Sequence, residues 1–323
     1  MHNDSLARGS KKLIEHCLAI KPGENVLILT DTQRDYSIAS SLAHAAAQAG
    51  AEPCVMVMRS QTRAGMEPPL IVREAMAAAD VVITPTTRAV YHTDAVQTAL
   101  RAGTRLLTLS EARPETLISG LIDCDFLAQK PLVEKLAKLM TAASEIRVTT
   151  ELGTDITASL RGRRATANTA ICHNPGQGMG AALEAYIAPV EDSSEGSVHC
   201  DLSASMLGIL EEPIVLRFEK GRAVSIEGGS QASRLQEILS DVRDPLAFTL
   251  AEIAFGMNPC ANITGDIIQD EGKYGTAHIA LGGNKSLSGA CDVPVHIDLV
   301  FNRPSAWLDG VQVFSDGEFI LGL

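Results

Sequence analysis

Aromatic side chains are scarce in this 323-residue chain, which has one Trp, four Tyr and seven Phe. Nucleic-acid-binding surfaces combine basic patches with aromatic rings for stacking. With a net charge of −12 as well, the chain is not expected to bind nucleic acid, and anionic membrane surfaces are disfavoured for the same reason. No apolar run approaches the length of a membrane span. Met1-His2-Asn3-Asp4-Ser5 has no basic stretch followed by an apolar one, so no secretory signal is expected. Cys-x-x-Cys pairs are absent too. The seven cysteines (17, 54, 124, 172, 200, 260, 291) are odd in number and scattered. That excludes a cysteine-rich zinc site and predicts reduced, mostly buried thiols in a cytoplasmic protein.

What is present divides into two parts. Residues 25–30, 53–58, 80–85 and 105–109 are short apolar runs. They alternate with helical patterns at 38–48, 69–79, 94–102, 111–119 and 126–143. Alternation of this kind predicts an α/β domain over residues 1–144, with a largely parallel, Rossmann-like sheet covered on both faces. From about residue 145 the chain changes to short strands, glycines and turns. Residues 145–150 and 156–160 flank Gly153-Thr154-Asp155 as a β-hairpin, and a helix near 231–240 interrupts the later strands. The expectation is an α+β metal-binding catalytic domain over 145–323. The polar, glycine-rich stretch 165–182 reads as a loop.

The most informative residues lie in Val295-His296-Ile297-Asp298-Leu299-Val300. β-Branched and aliphatic neighbours make this a buried strand. Residues i and i+2 of a strand share a face, so His296 and Asp298 stand side by side. A buried carboxylate needs its charge compensated, either by a hydrogen-bonded histidine or by a metal ion. His278, Glu252 and Glu184 likewise interrupt apolar segments of the second domain. One such interruption is usually a satisfied core residue; several, all of metal-ligand type, suggest a shared site. Two histidines and three carboxylates suffice for two divalent ions, whereas the histidines with Asp298 alone match a mononuclear iron triad. Residue types do not separate these readings.

Other motifs carry less. Gly176-Gln177-Gly178-Met179-Gly180-Ala181 fits G-x-G-x-x-A, but His173-Asn174-Pro175 precedes it where a dinucleotide fingerprint needs a strand. His199-Cys200-Asp201 repeats the H-x-D spacing without neighbouring ligand candidates and reads as structural. Glu191-Asp192 with Glu195 reads as a solvated acidic turn.

Four segments resemble the aminopeptidase T family of metallopeptidases. Residues 182–193 are similar to that family's GEVFTAPVEDS, and LAEIAFGMN (250–258) to its LGELGIGTN. GTAHIALG (275–282) is similar to GTVHLALG, and HIDL (296–299) to HWDL. The resemblance implies a homodimer and a site for one or two divalent ions (zinc, cobalt or manganese) held by Glu184, Glu252, His278, His296 and Asp298. It also implies hydrolysis of a small amide or short peptide by metal-activated water, with a glutamate, Glu184 or Glu252, taking the proton. One position departs from the pattern. The family's tyrosine seven residues after the first histidine is Lys285 here, and its following proline is Ser286. Lys285 is therefore either a replacement electrophile or an exposed loop lysine.

Ring-opening 2,5-dihydroxypyridine dioxygenases resemble the same fold and keep the H-x-D strand. They carry a histidine at the position of Glu252 and apolar residues at those of Glu184 and His278. On all three counts this chain matches the peptidase type, so a hydrolase is the leading expectation. The alternatives are a mononuclear Fe(II) dioxygenase acting on a dihydroxypyridine-like ring and a non-catalytic, metal-stabilised binding protein.

Overall fold

A computed structural model describes residues 2–322 of the chain, with side chains from residue 6 onward. The chain forms two compact units. The first comprises the chain up to Ala128 together with Asn168–Ala182, and the second comprises Gln129–Ala167 with the chain from Leu183 onward.

The first unit is built on a five-stranded sheet. Its order is Glu52–Met58, Asn25–Asp31, Val81–Thr84, Arg105–Thr108 and Gly178–Gly180, all parallel. The central strands are buried along nearly their whole length, as expected of a parallel sheet covered on both faces. Leu27, Leu29, Val82 and Leu106 pack against Val72 and Met76 of the Leu70–Ala78 helix and Val96 and Ala99 of the Asp94–Ala102 helix. The helical pattern expected at 111–119 is instead two 3₁₀ turns, Pro114–Leu117 and Gly120–Asp123. Pro114 has no N–H to donate, and Gly120 at φ +74° starts the second turn. A helix over His2–Lys12, continued by a π-helical turn over Leu13–Cys17, precedes the first strand.

The second unit contains two antiparallel sheets. One has eight strands in the order Arg222–Glu227, Ile214–Glu219, Glu195–Cys200, Asp155–Ser159, Glu145–Thr149, Ser305–Leu308, Val311–Ser315 and Glu318–Phe319. The other places Gly208–Ile209, Ser203–Ala204, His296–Asn302, Thr276–Gly282, Leu250–Gly256 and Glu184–Ile187 side by side. A parallel α/β region followed by antiparallel sheets is thus the architecture.

The boundary expected at 144/145 lies elsewhere. The chain leaves the first unit inside the Phe126–Ala142 helix and returns for residues 168–182. The stretch read as a loop there supplies the fifth parallel strand: Gly178 pairs with Leu106 and Gly180 with Thr108. Small side chains make this possible, since a Cβ on Gly178 would stand 3.1 Å from Leu100. Among the described residues no helix is long and apolar enough to cross a membrane.

Candidate metal centre

Strand register assembles the centre. Glu252 is opposite Ala280, and Ala280 is opposite Asp298 on the next strand. Two residues along, Ala254 faces His278, which faces Val300. Gly282 stands opposite His296, and Glu184 enters from the neighbouring strand opposite Gly256. Directly opposed residues share a face of an antiparallel sheet. Glu184, Glu252, His278, His296 and Asp298 therefore all project from one face. Ala254, Ala280, Gly256 and Gly282 stand among them, and their small size leaves the five side chains room to converge. The opposite face carries Ile253, Phe255, Ile279, Leu281, Ile297 and Leu299, all fully buried, and this packing holds the ligand-bearing backbone rigid.

The convergence is tight. His296 Nε2 lies 3.2 Å from Glu252 Oε2 and 3.3 Å from Asp298 Oδ1. His278 Nε2 lies 3.4 Å from Glu184 Oε2 and 3.6 Å from Glu252 Oε1, so Glu252 spans both imidazoles. His296 Nδ1 is 2.8 Å from the Gly283 carbonyl. A carbonyl only accepts, so Nδ1 carries a proton, and Nε2 faces the carboxylates, where a second proton or a metal ion fits between them. The Ser205 hydroxyl donates to Asp298 Oδ2 at 3.1 Å, which leaves Oδ1 on the His296 side. Two groups that could each hold an ion result, Glu252–His296–Asp298 and Glu184–Glu271–His278, each with its candidate ligand atoms within 4.8 Å of one another.

Electrostatics call for a cation here. Four carboxylates converge with two imidazoles, so the group stays negative even with both rings protonated. Burial pulls the His296 imidazolium down, but Asp298 and Glu252 outweigh it and hold the ring well above its ordinary range. Burial likewise opposes ionisation of Glu252, and the two imidazoles more than offset it, lowering that carboxyl. A positive charge, as a proton or a metal ion, is thus strongly favoured between Nε2 and the carboxylates. The donor set fits a metal. Two cis ligands, each about 2.1 Å from an ion, stand about 3.0 Å apart, close to the 3.2 and 3.3 Å separations around His296 Nε2. His278 Nδ1, fully buried, has no hydrogen-bond partner among the described residues.

All five residues expected as metal ligands are thus in one place, but Lys285 is not among them. It lies on the 3₁₀ turn Lys285–Leu287, its Nζ 2.6 Å from Asp292 Oδ2, with both side chains about two-thirds exposed. Glu271, Ser205 and the Gly283 carbonyl belong to the centre without having been singled out in the sequence. Glu271 follows the one-turn Ile267–Asp270 helix and has no periodic pattern to mark it. His199-Cys200-Asp201 is structural: the His199 N–H donates to Thr154 Oγ1, and Asp201 accepts from the Asn302 N–H. Glu191, expected in a solvated acidic turn, instead pairs with Arg163 at 2.5 Å. The seven cysteines are free thiols, and burial pushes Cys17 up to about 12.

Comparison with known proteins bears on the chemistries left open. The curated 2,5-dihydroxypyridine 5,6-dioxygenase of Pseudomonas putida KT2440 is 26% identical over 264 residues, 78% of this chain and 74% of that protein. The solved structure of 2,5-dihydroxypyridine dioxygenase from the same organism superposes with a TM-score of 0.82 at 21% identity, covering 99% of this chain and 98% of the other. Wild-type AmpT from Thermus thermophilus superposes with a TM-score of 0.71 at 18% identity, covering 99% and 100%. The aminopeptidase T resemblance therefore holds as a likeness of fold. The expected amide- or peptide-hydrolysing function is overturned, because the family match is to a dioxygenase, and the hydrolase, aminopeptidase and metalloprotease assignments fall with it. The ligand set misled because buried carboxylates and imidazoles serve either chemistry. A divalent metal remains the cofactor, ferrous iron in this family. The family model described as NicX: 2,5-dihydroxypyridine 5,6-dioxygenase matches residues 6–321, through both units and every candidate ligand position, and the chain belongs to that family.

Proposed function

We propose that the protein opens a hydroxylated pyridine, or a closely similar ring, with dioxygen at a ferrous centre held by Glu252, His296 and Asp298. The observation that carries this reading is the family match across residues 6–321, which includes the strand presenting His296 and Asp298 from one face. Ferrous iron, when bound, supplies a site at which a ring hydroxyl and dioxygen meet. The protein's part is to hold and orient. Gly283 fixes the His296 tautomer, Ser205 fixes Asp298, and Ala280 leaves space between the two carboxylates. Glu184 and His278, 3.4 Å apart and buried, form the pair that takes the proton of a substrate hydroxyl. Glu271 stands beside them as a third polar group. Lys285, at the exposed turn, has no part in this scheme. A homodimer in the cytoplasm completes the reading; the free cysteines support the compartment, and the aminopeptidase T-like fold supports the dimer.

The test is a panel of dihydroxypyridines, aminoacyl anilides, dipeptides and cyclic amides, run with ferrous iron in air and under argon. Loss of the ring chromophore with oxygen uptake, in air only, is the expected result. Oxygen-independent turnover of any member, or no ring opening by iron-loaded protein, would refute it.

A further inference from the structure

Gly283 is the last residue before a closed loop, and that loop is tied down by a residue far from it in sequence. Asn284 is fully buried. Its Oδ1 accepts from the Cys291 N–H at 2.9 Å, and its carbonyl accepts from the Leu287 and Gly289 N–H groups, both at 2.9 Å. A Cβ on Gly289 would stand 2.0 Å from Asn284 Oδ1, so the loop closes on this side chain without slack. Glu191 then clamps it from outside. Its Oε1 accepts from Asn284 Nδ2 at 3.0 Å and from the Ala290 N–H at 2.6 Å. Its Oε2 accepts from Arg163 Nη2 at 2.5 Å, and Arg163 Nη1 donates to the Ser288 carbonyl at 3.1 Å. The clamp is itself anchored to the eight-stranded sheet. The Val190 N–H donates to the Ser159 carbonyl at 2.9 Å, and the Ser159 N–H donates to Ser193 Oγ at 3.0 Å.

A histidine metal ligand depends on the acceptor of its other ring N–H, which sets the tautomer, the ring plane and the basicity of the ligating nitrogen. Here that acceptor is a backbone carbonyl one residue from Asn284. We infer that Glu191 is a positioning residue for the metal centre: by clamping Asn284 and Ala290 it fixes the Gly283 carbonyl, and through it the direction in which His296 presents Nε2. Arg163 supports Glu191 in this role. The lowered carboxyl of Glu191 agrees with it: burial opposes ionisation, and the Ala290 and Asn284 donors with Arg163 more than offset it. The inference rests on the metal reading of the centre and not on the ring chemistry.

The test uses cobalt(II) as probe on the full chain, with E191A, E191Q, R163A and H296A beside the parent. Metal affinity, the visible d–d spectrum of the cobalt protein and the hyperfine-shifted exchangeable imidazole N–H resonances are recorded. E191A is expected to weaken cobalt binding about 10–100-fold, alter the d–d bands and speed solvent exchange of the His296 Nδ1–H. R163A, which leaves the two loop contacts to Glu191 in place, is expected to shift the same observables less. E191Q, which keeps one acceptor oxygen, should fall between parent and E191A. If H296A loses cobalt while E191A, E191Q and R163A all retain parental affinity, spectrum and exchange, the positioning role is refuted and the metal reading stands. If H296A itself retains cobalt, the metal reading falls and the inference with it. Should E191A not fold, E191Q and R163A carry the same test.

Discussion

His296→Ala is the most exposing perturbation of the centre. It removes the one ring whose nitrogen lies between two carboxylates, at 3.2 and 3.3 Å, and whose other nitrogen is held at 2.8 Å by a carbonyl. Two effects separate by metal content. With metal present, one of the three proposed ligands is lost, and affinity should fall further than the about 10–100-fold that loss of a supporting partner costs. We expect at least ~100-fold, or about 2.8 kcal/mol at 1.4 kcal/mol per decade. Without metal, Glu252 and Asp298 face each other with no intervening cation. Removing one partner of a buried charged pair costs about 3–5 kcal/mol. The metal-free variant should therefore unfold at distinctly lower urea, and the deficit should shrink as acidic pH protonates the carboxylates. Lys285→Ala is the control, since its exposed pair with Asp292 is worth about 0–1 kcal/mol. Cobalt titration, elemental analysis and urea unfolding supply the readings. Equal metal content in His296→Ala and parent would refute the argument, as would an equal loss in Lys285→Ala.

Glu184→Gln should leave one iron per chain but slow ring opening at least ~10-fold, since an amide is a poor proton acceptor; two iron equivalents in the parent would reassign Glu184, Glu271 and His278 to a second ion. Gly282→Ala should lower the thermal midpoint strongly, because φ is +117° and the new Cβ would stand 2.2 Å from the Val295 carbonyl; Gly310→Ala, at φ +81° with nothing within 4 Å, should show only the backbone cost of about 1–3 kcal/mol, and equal losses would disprove the steric argument. Glu191 titrates below its ordinary range in the folded protein, so its contribution is present above the unfolded value of about 4.3 and is lost as pH falls through the lower folded value. The stability gap between parent and Glu191→Gln should accordingly be widest near neutral pH and close in acid; a gap that widens in acid would reverse the sign.

The parts of the centre legible in the sequence are those written by local period. His296 and Asp298 share a face because strand side chains alternate, and Glu252, His278 and Glu184 stand out by breaking apolar strands. The ring of small residues was not legible, because it depends on pairing Glu252 with Ala280 and Ala280 with Asp298 across long separations. Glu271 and Ser205 lie at turns and short bridges that carry no pattern. The same limit explains the displaced unit boundary. Residues 178–180 contain two glycines and a methionine, a composition with little strand propensity, and only pairing with residues 106–108 makes them a strand. The hydrolase was put ahead of the dioxygenase alternative for a different reason. Clustered carboxylates and imidazoles point to a held cation, and they do not state whether water or dioxygen is activated there.

The fifth strand of the parallel sheet also sets an order for biosynthesis. Arg105–Thr108 is an open edge until residues 178–180 arrive, and between them the chain contributes Gln129–Ala167 to the other unit. During translation the first four strands emerge well before their last partner, and an unpaired strand edge is a template for pairing with foreign chains. Neither unit is a continuous stretch of gene, so cutting at one point cannot release either intact. A nascent chain arrested between residues 128 and 178 carries a sheet with one side still unfinished, which is the stage at which chaperone capture has most to protect.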